Sequence, residues 1–257
     1  MIDWRTTKAA VFRRSTGALR PIAQIDTFAL DDLINIERQK AALVQNTENF
    51  LQGKFANNVL LWGSRGTGKS SLIKALLHTY ADRGLRVIEF FKEDLQYLLE
   101  IVDLIRDEPY RFILYLDDLT FGETDTTYTY LKSAMEGSIE SAPDNVRVYA
   151  TSNRRHLVPE HQSDNRDVKV LDGELHYGDA VEEKISLADR FGLWISFYQG
   201  TQDDYLAFVE HYFKEVAVDR ETLLLEAKRF SASRASRSGR TAKQFYLQYM
   251  QTLGQVR

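Results

Sequence analysis

The chain has 257 residues, 44% of them apolar and 27% charged, enough for one sizeable core and a smaller satellite, so a disordered chain is excluded. It has no cysteine, which excludes disulfides, thiolate zinc sites and cysteine nucleophiles and leaves oxygen or imidazole ligands for any metal. A formal net charge of −4 argues against a protein that coats nucleic acid wholesale, while leaving local basic contacts with phosphate open.

Residues 1–25 carry Arg5, Lys8, Arg13, Arg14 and Arg20 and read as a basic N-terminal arm, a solvated extension packed on the adjoining domain. No apolar run approaches the length of a membrane span and the first residues lack a secretory apolar stretch, so the expectation is a cytoplasmic protein with no membrane partner. Five β-rich runs then alternate with amphipathic helical stretches: Asn58 to Trp62, Leu85 to Phe90, Arg111 to Asp117, Val146 to Thr151 and Leu193 to Tyr198. The alternation predicts a three-layer α/β domain over 26–200, with helices on both faces of a mainly parallel five-stranded sheet. Phe112-Ile113-Leu114-Tyr115-Leu116 is continuously apolar, as in a strand buried on both faces. Residues 159–183 are polar and read as a loop or hairpin insertion. Beyond residue 200 only helices are expected. The first starts at Thr201, which has capping-box spacing to Asp204; the second runs through Glu221 to Phe230. The third comes after Ser238-Gly239 and carries Ala242, Phe245, Tyr246 and Tyr249 at helical spacing, and the three make a small helical lid domain over 201–257.

Gly63-Ser64-Arg65-Gly66-Thr67-Gly68-Lys69-Ser70 fits the phosphate-binding pattern G-x-x-x-x-G-K-S/T throughout, between a strand and a helix. Glycines let backbone N–H groups turn inward, and the helix continuing through Ser71 presents its positive end to the same phosphates. Lys69 would neutralise β- and γ-phosphates and the Ser70 hydroxyl would join a Mg²⁺ shell, so ATP with Mg²⁺ is the expected ligand pair. The apolar strand through Leu116 ends in Asp117-Asp118, the Walker B arrangement, with Asp117 assigned to the metal. Asp118 comes next as the candidate carboxylate that activates water, with Glu123 as its alternative and a role in structure or metal orientation as the other reading of Asp118.

A further strand ends in Thr151-Ser152-Asn153, with Arg154-Arg155 directly after it. With that run the motif set resembles the AAA+ ATPases, in order from about residue 30 to the C-terminus. The strand is similar to their sensor 1, which lies between the Walker A and Walker B strands, and the resemblance implies that Asn153 reaches the γ-phosphate and the attacking water. Many hydrolysing members carry glutamate where this chain has Asp118, so slow hydrolysis is open. Ser186-Leu187-Ala188-Asp189-Arg190-Phe191-Gly192 resembles the arginine-finger box, with Arg190 in the matching place, which implies a site shared between subunits of a homo-oligomer. Ser238-Gly239-Arg240-Thr241-Ala242 is similar to sensor 2, making Arg240 the cation that reports nucleotide to the lid, with Arg237 a close competitor. Asp31 to Lys40 looks like the segment lining the adenine pocket, Ile34 and Ile36 being its walls. The stretches around Asp117, Asn153 to Leu157 and Glu182 to Trp194 also resemble one bacterial AAA+ family catalogued as a domain of unknown function.

The resemblance implies an ATPase that uses hydrolysis at a subunit interface to remodel an unidentified protein or nucleic-acid partner. The alternative is a nucleotide-dependent binding switch with negligible hydrolysis, and a P-loop small-molecule kinase fits less well. Phe90-Phe91-Lys92-Glu93-Asp94-Leu95 runs almost directly into a helix without the glycine of a threading loop, which argues against pulling substrate through a pore. His156, His161 and His176 do not have ligand spacing, and Tyr128, Tyr130, Tyr246 and Tyr249 read as packing residues.

Overall fold

The structure, a computed structural model, describes residues 2–26, 28–122, 125–136, 141–155, 157, 169–171, 174–176 and 186–254. In chain order the strands are β1 (Ala9–Arg13), β2 (Ala18–Pro21), β3 (Val59–Gly63), β4 (Leu85–Phe90), β5 (Arg111–Leu116), β6 (Val146–Ser152), β7 (Lys169–Leu171), β8 (Glu174–His176) and β9 (Leu193–Phe197). The helices are α1 (Glu37–Leu51), α2 (Lys69–Tyr80), α3 (Leu98–Ile105), α4 (Tyr128–Glu136), α5 (Gln202–Tyr212), α6 (Arg220–Ser233) and α7 (Gly239–Thr252).

Seven strands form one sheet in the order β2-β1-β4-β5-β6-β3-β9, parallel throughout except for β2 against β1. The five central and far strands are those expected, and β6 lies between β3 and β5 as the resemblance requires. The sheet is larger than the expected five strands because the N-terminal segment joins its edge. Ala9-Ala10-Val11-Phe12 is apolar and buried, and β1 pairs in parallel with β4. The cations around it, Lys8, Arg13 and Arg14, dominate the sequence pattern and obscure this short run. Trp4 anchors the same segment, edge-on to Phe112 at 4.9 Å between ring centres, while the buried Arg86 Nε donates to the Trp4 carbonyl at 2.8 Å. In the polar insertion β7 and β8 pair antiparallel as a small hairpin.

Alternate residues of the parallel strands face opposite sides, as the two-residue period of a strand demands. Leu60, Ile88, Leu114 and Val148 pack against α3 and α4, while Leu61, Val87, Ile113 and Tyr149 pack against α1 and α2. The Tyr149 hydroxyl is buried and satisfied within 3.0 Å by Asn46 Nδ2 and Thr47 Oγ1, which fixes β6, and the residues at its end, relative to α1. After β4 the chain turns at once into a 3₁₀ segment, Lys92–Tyr97, and then α3, so there is no extended loop of the threading kind.

Helices α5 to α7 build a separate apolar cluster from Tyr205, Val209, Phe213, Leu223, Ala227, Ala242 and Phe245. Each begins with a side-chain cap: Thr201 with Asp204, Asp219 to the Thr222 N–H, and Ser238 to the Thr241 N–H. Such caps contribute about 1 kcal/mol each. The Thr201–Asp204 pair is a reciprocal capping box, as its spacing indicates.

Candidate functional site

The phosphate loop is shaped by positions that no residue other than glycine suits. Gly63 ends β3 at φ 127°, and a Cβ there would lie 1.9 Å from the Phe197 carbonyl oxygen of β9. That carbonyl accepts the Ser64 N–H at 2.9 Å, locking the loop entrance to the neighbouring strand. Gly68, at φ 96°, is the left-handed residue from which α2 starts. Between them Thr67 Oγ1 donates to the Ser64 carbonyl at 2.8 Å. The first turn of α2 therefore points its free N–H groups and positive end at the space enclosed by the loop.

Lys69 is buried in this turn, and its ammonium donates to the carbonyls of Gly63 at 2.8 Å and Ser64 at 2.7 Å, with Asn153 Oδ1 at 3.4 Å. Burial pulls its pKa below the ordinary lysine value, while the charges of Asp118 and Asp117 pull it back part of the way.

On the opposite side, the ends of β5 and β6 and the first turn of α2 bring three oxygens together. Asp117 Oδ1 accepts from Ser70 Oγ at 2.9 Å and from Thr151 Oγ1 at 2.6 Å, and Thr151 Oγ1 accepts the Asp118 N–H at 2.9 Å. Burial opposes ionisation of Asp117, but hydrogen bonds, those from Thr151 and Ser70 among them, outweigh it and hold its pKa below the usual carboxylate value. Ser70 and an ionised Asp117 within hydrogen-bond distance form an oxygen donor set that fits a hard cation such as Mg²⁺. Among the described residues no cluster of three or more histidines and carboxylates forms a closed metal cage, so a cation here would complete its shell from phosphate oxygens and water. Asp118 adopts φ 50°, and its carboxylate accepts from Asn153 Nδ2.

The loop, the acids and the helical bundle enclose a cleft of about 840 Å³. Arg65 to Ser71, Asp117, Asp118, Asn153, Ile34, Ile36 and Arg240 all line it. Thus the structure brings together nearly all the expected site residues, Gly63 and Ser64 forming the base of the loop. Ile36 is buried beside Gly68, its Cδ1 3.6 Å from where a Cβ would stand, and Lys40 Nζ shapes the Ile34 segment by donating to the Leu30 and Leu33 carbonyls at 2.9 Å each. Arg237 does not line this cleft: it lines an adjoining crevice of about 220 Å³ with Gln39 and Tyr198, which shares Ile36, Gly66 and Thr67 with the cleft.

Arg190 is not among the residues that line the cleft. Its Nη1 donates to the Ser186 carbonyl and, at 2.7 Å, to Ser186 Oγ, and Nε pairs with Glu136. Glu123, His156, His161 and Glu183 lie outside the described residues.

Sequence reasoning missed an acid that feels the charge of Asp117 and several groups that line the cleft. Glu89 on β4 has its pKa raised by burial and by the charge of Asp117. A carboxylate inside the otherwise apolar Val87 to Phe90 run is itself a signal, since acids are seldom buried without purpose. From the helical bundle, Phe208, His211 and Tyr212 face the cleft, and Tyr246, expected only to pack, stacks on Tyr212 at 5.6 Å while also lining it. His211 Nε2 lies 3.6 Å from Asp32 Oδ1, joining the bundle to the segment before α1.

The Thermotoga maritima RuvB Holliday junction branch migration motor has a similar structure, with TM-score 0.57 and 17% identity over 90% of this chain and 68% of that one. A variant of the same motor matches with TM-score 0.56 and 16% identity, over 89% and 66%. No curated protein sequence matches. This likeness establishes the AAA+ module as the fold, and no helix among the described residues is long and apolar enough to cross a membrane. The family described as "Protein of unknown function (DUF815)" matches residues 5–253, and the chain belongs to that family, with the fold and motifs of a AAA+ P-loop ATPase.

Proposed function

We propose that the chain binds ATP with Mg²⁺ in the cleft and hydrolyses it as a homo-oligomer, using the cycle to remodel a protein or nucleic-acid partner. The observation that carries this reading is the convergence of Lys69, Ser70, Asp117, Asn153 and Arg240 on one cleft from four separate parts of the chain.

Loop N–H groups and Lys69 hold the phosphates, exchanging the two carbonyl acceptors of the ammonium for phosphate oxygens of higher charge. Ser70 and Asp117 would hold the cation, with Thr151 orienting the carboxylate from behind. When bound, Mg²⁺ supplies charge neutralisation at the phosphate oxygens. Asp118 accepts hydrogen bonds from the attacking water, and Asn153 fixes the rotamer of that carboxylate. Ile34 and Ile36 wall the base, and Arg240 meets phosphate charge from the helical side, so nucleotide contents are read by the lid. Arg190 serves the cleft of a neighbouring copy, where an added cation stabilises transition-state charge. The likeness to a motor named for branch migration is the reason to keep nucleic acid beside protein as a partner class.

Steady-state ATP hydrolysis with Mg²⁺, measured across protein concentration alongside light scattering, tests this reading. Specific activity that climbs with assembly supports a shared site; a monomer with concentration-independent turnover defeats it. A second reading, a nucleotide-dependent switch, is favoured by Asp118, whose short side chain is already engaged by Asn153. ATP binding without turnover at any assembly state selects the switch.

A further inference from the structure

We propose that Glu136 is a latch that keeps Arg190 folded onto its own subunit and gives it up only when a second copy of the chain presents a nucleotide. The inference rests on the proposed role of Arg190 in a neighbour's site and adds to it the state of that arginine before docking.

A guanidinium carries five N–H donors in a fixed fork, and one that is to meet a phosphate on another subunit must be presented outward. Here the Arg190 side chain is only 18% exposed. Nη1 is committed to Ser186, through both its carbonyl and its hydroxyl, while Nε makes a charge contact with the Glu136 carboxylate at the end of α4 that falls short of hydrogen-bond geometry. The backbone at this point is fixed, because Leu187, Ala188 and Phe191 are buried in the core and the Arg190 N–H donates to the Leu187 carbonyl at 3.1 Å. A change of partner is therefore a rotamer change of one side chain. It needs no movement of the loop.

Glu136, whose own side chain is 48% exposed, is screened by water and so is a replaceable partner. A bound triphosphate carries more charge and can take the guanidinium in a bidentate contact, so it competes well once docking brings it within reach. Without nucleotide in the neighbour the arginine gains nothing by leaving. The latch thus makes release of the finger depend on both assembly and nucleotide, and it raises the protein concentration at which turnover appears.

The test compares wild type, Glu136→Gln, Ser186→Ala and Arg190→Ala in steady-state hydrolysis across protein concentration, with a thermal melt of each as a fold check. Glu136→Gln should reach half-maximal specific activity at a protein concentration lower by about threefold, the worth of one partly screened ion pair, with an unchanged plateau. Ser186→Ala should shift in the same direction by less, because the carbonyl anchor remains, and it carries the test if Glu136→Gln does not fold. A lowered plateau in Glu136→Gln would overturn the latch and make Glu136 a residue that positions the finger for action. An unchanged profile in both variants would overturn it as well. If Arg190→Ala itself turns over normally, the finger reading fails, which is a separate outcome read from a separate variant.

Discussion

Gly66 of the phosphate loop and Ser238 at the start of α7 are in contact, so closely that a Cβ added to Gly66 would lie 2.7 Å from Ser238 Oγ and 2.8 Å from its Cβ. Ser238 is also the cap of α7, accepting the Thr241 N–H at 3.2 Å. The loop that would hold the phosphates and the helix that carries Arg240 therefore touch through one glycine.

Gly66→Ala should damage both. Gly66 sits at φ 75°, where a side chain costs about 1–2 kcal/mol, and the new methyl must also push Ser238 away. The melting temperature should fall by about 3–8 °C. Fluorescent-ATP affinity should fall with it, because Arg240 is displaced. Adding Ser238→Gly relieves the contact but not the backbone strain, so it should return part of the affinity. A Gly66→Ala protein with unchanged melting and affinity would show that loop and helix are not coupled in this way.

The lysine makes a prediction about protons. Burial leaves the Lys69 pKa below its unfolded value, so between the two values the folded chain binds fewer protons than the unfolded one. This group's contribution to stability therefore rises with pH through that alkaline window, and below it the buried ammonium costs the fold. Phosphates beside it would raise its pKa again, so ATP binding should take up a proton. Calorimetric titration across the alkaline window below the ordinary lysine value, in buffers of different ionisation enthalpy, should detect that uptake. In Lys69→Arg, whose guanidinium does not titrate there, the uptake should vanish; a proton count identical to wild type would assign it elsewhere. Lys69→Ala should lose nucleotide binding by about two orders of magnitude.

The loop is legible in the sequence because its demands are local: glycines at fixed offsets, a strand before and a helix after. Asp117 and Asn153 are legible because an apolar strand that ends in a polar residue places that residue at the sheet's carboxyl edge, and the strand order then puts both beside Lys69. The order β5-β6-β3 comes from resemblance, since no periodicity encodes which strands are neighbours. The N-terminal hairpin is not legible, for Ala9 to Phe12 is too short an apolar run to stand out among flanking cations. Tyr246 has the spacing of a packing residue and does pack on Tyr212, yet it also faces the cleft. That second role depends on how the helical bundle sits on the sheet, which is set by contacts such as Gly66 with Ser238 and not by spacing within α7.

The same orientation separates two arginines that the sequence leaves in competition. Arg240 lines the cleft with Lys69 and the acids, whereas Arg237 lines the crevice beside Gln39 and Tyr198. Arg240→Ala should lower turnover by about 10², as the loss of one preorganised donor to transition-state charge does. Arg237→Ala should leave turnover within about twofold, as surface substitutions do. Steady-state rates of the two variants at saturating ATP decide the assignment, and the reverse order of effects would move the sensor role to Arg237.

Asp118 separates the proposed hydrolysing ATPase from the proposed switch. Its carboxylate is held by Asn153 and its backbone N–H by Thr151, so the side chain is oriented from two sides at φ 50° and has little freedom to extend. If it orients the water, Asp118→Ala should keep ATP affinity and lose about 10²-fold or more in single-turnover rate. Asn153→Ala, which frees the carboxylate, should lose rate in the same assay without losing affinity. Asp118→Glu adds the methylene that many AAA+ relatives have, and in this tightly held geometry it should not restore more than wild-type rate unless Asn153 is also replaced. Should Asp118→Ala hydrolyse ATP as wild type does, water activation belongs to another group. Should wild type itself show no single turnover while Asp118→Glu does, the chain is a switch whose short acid keeps bound ATP intact.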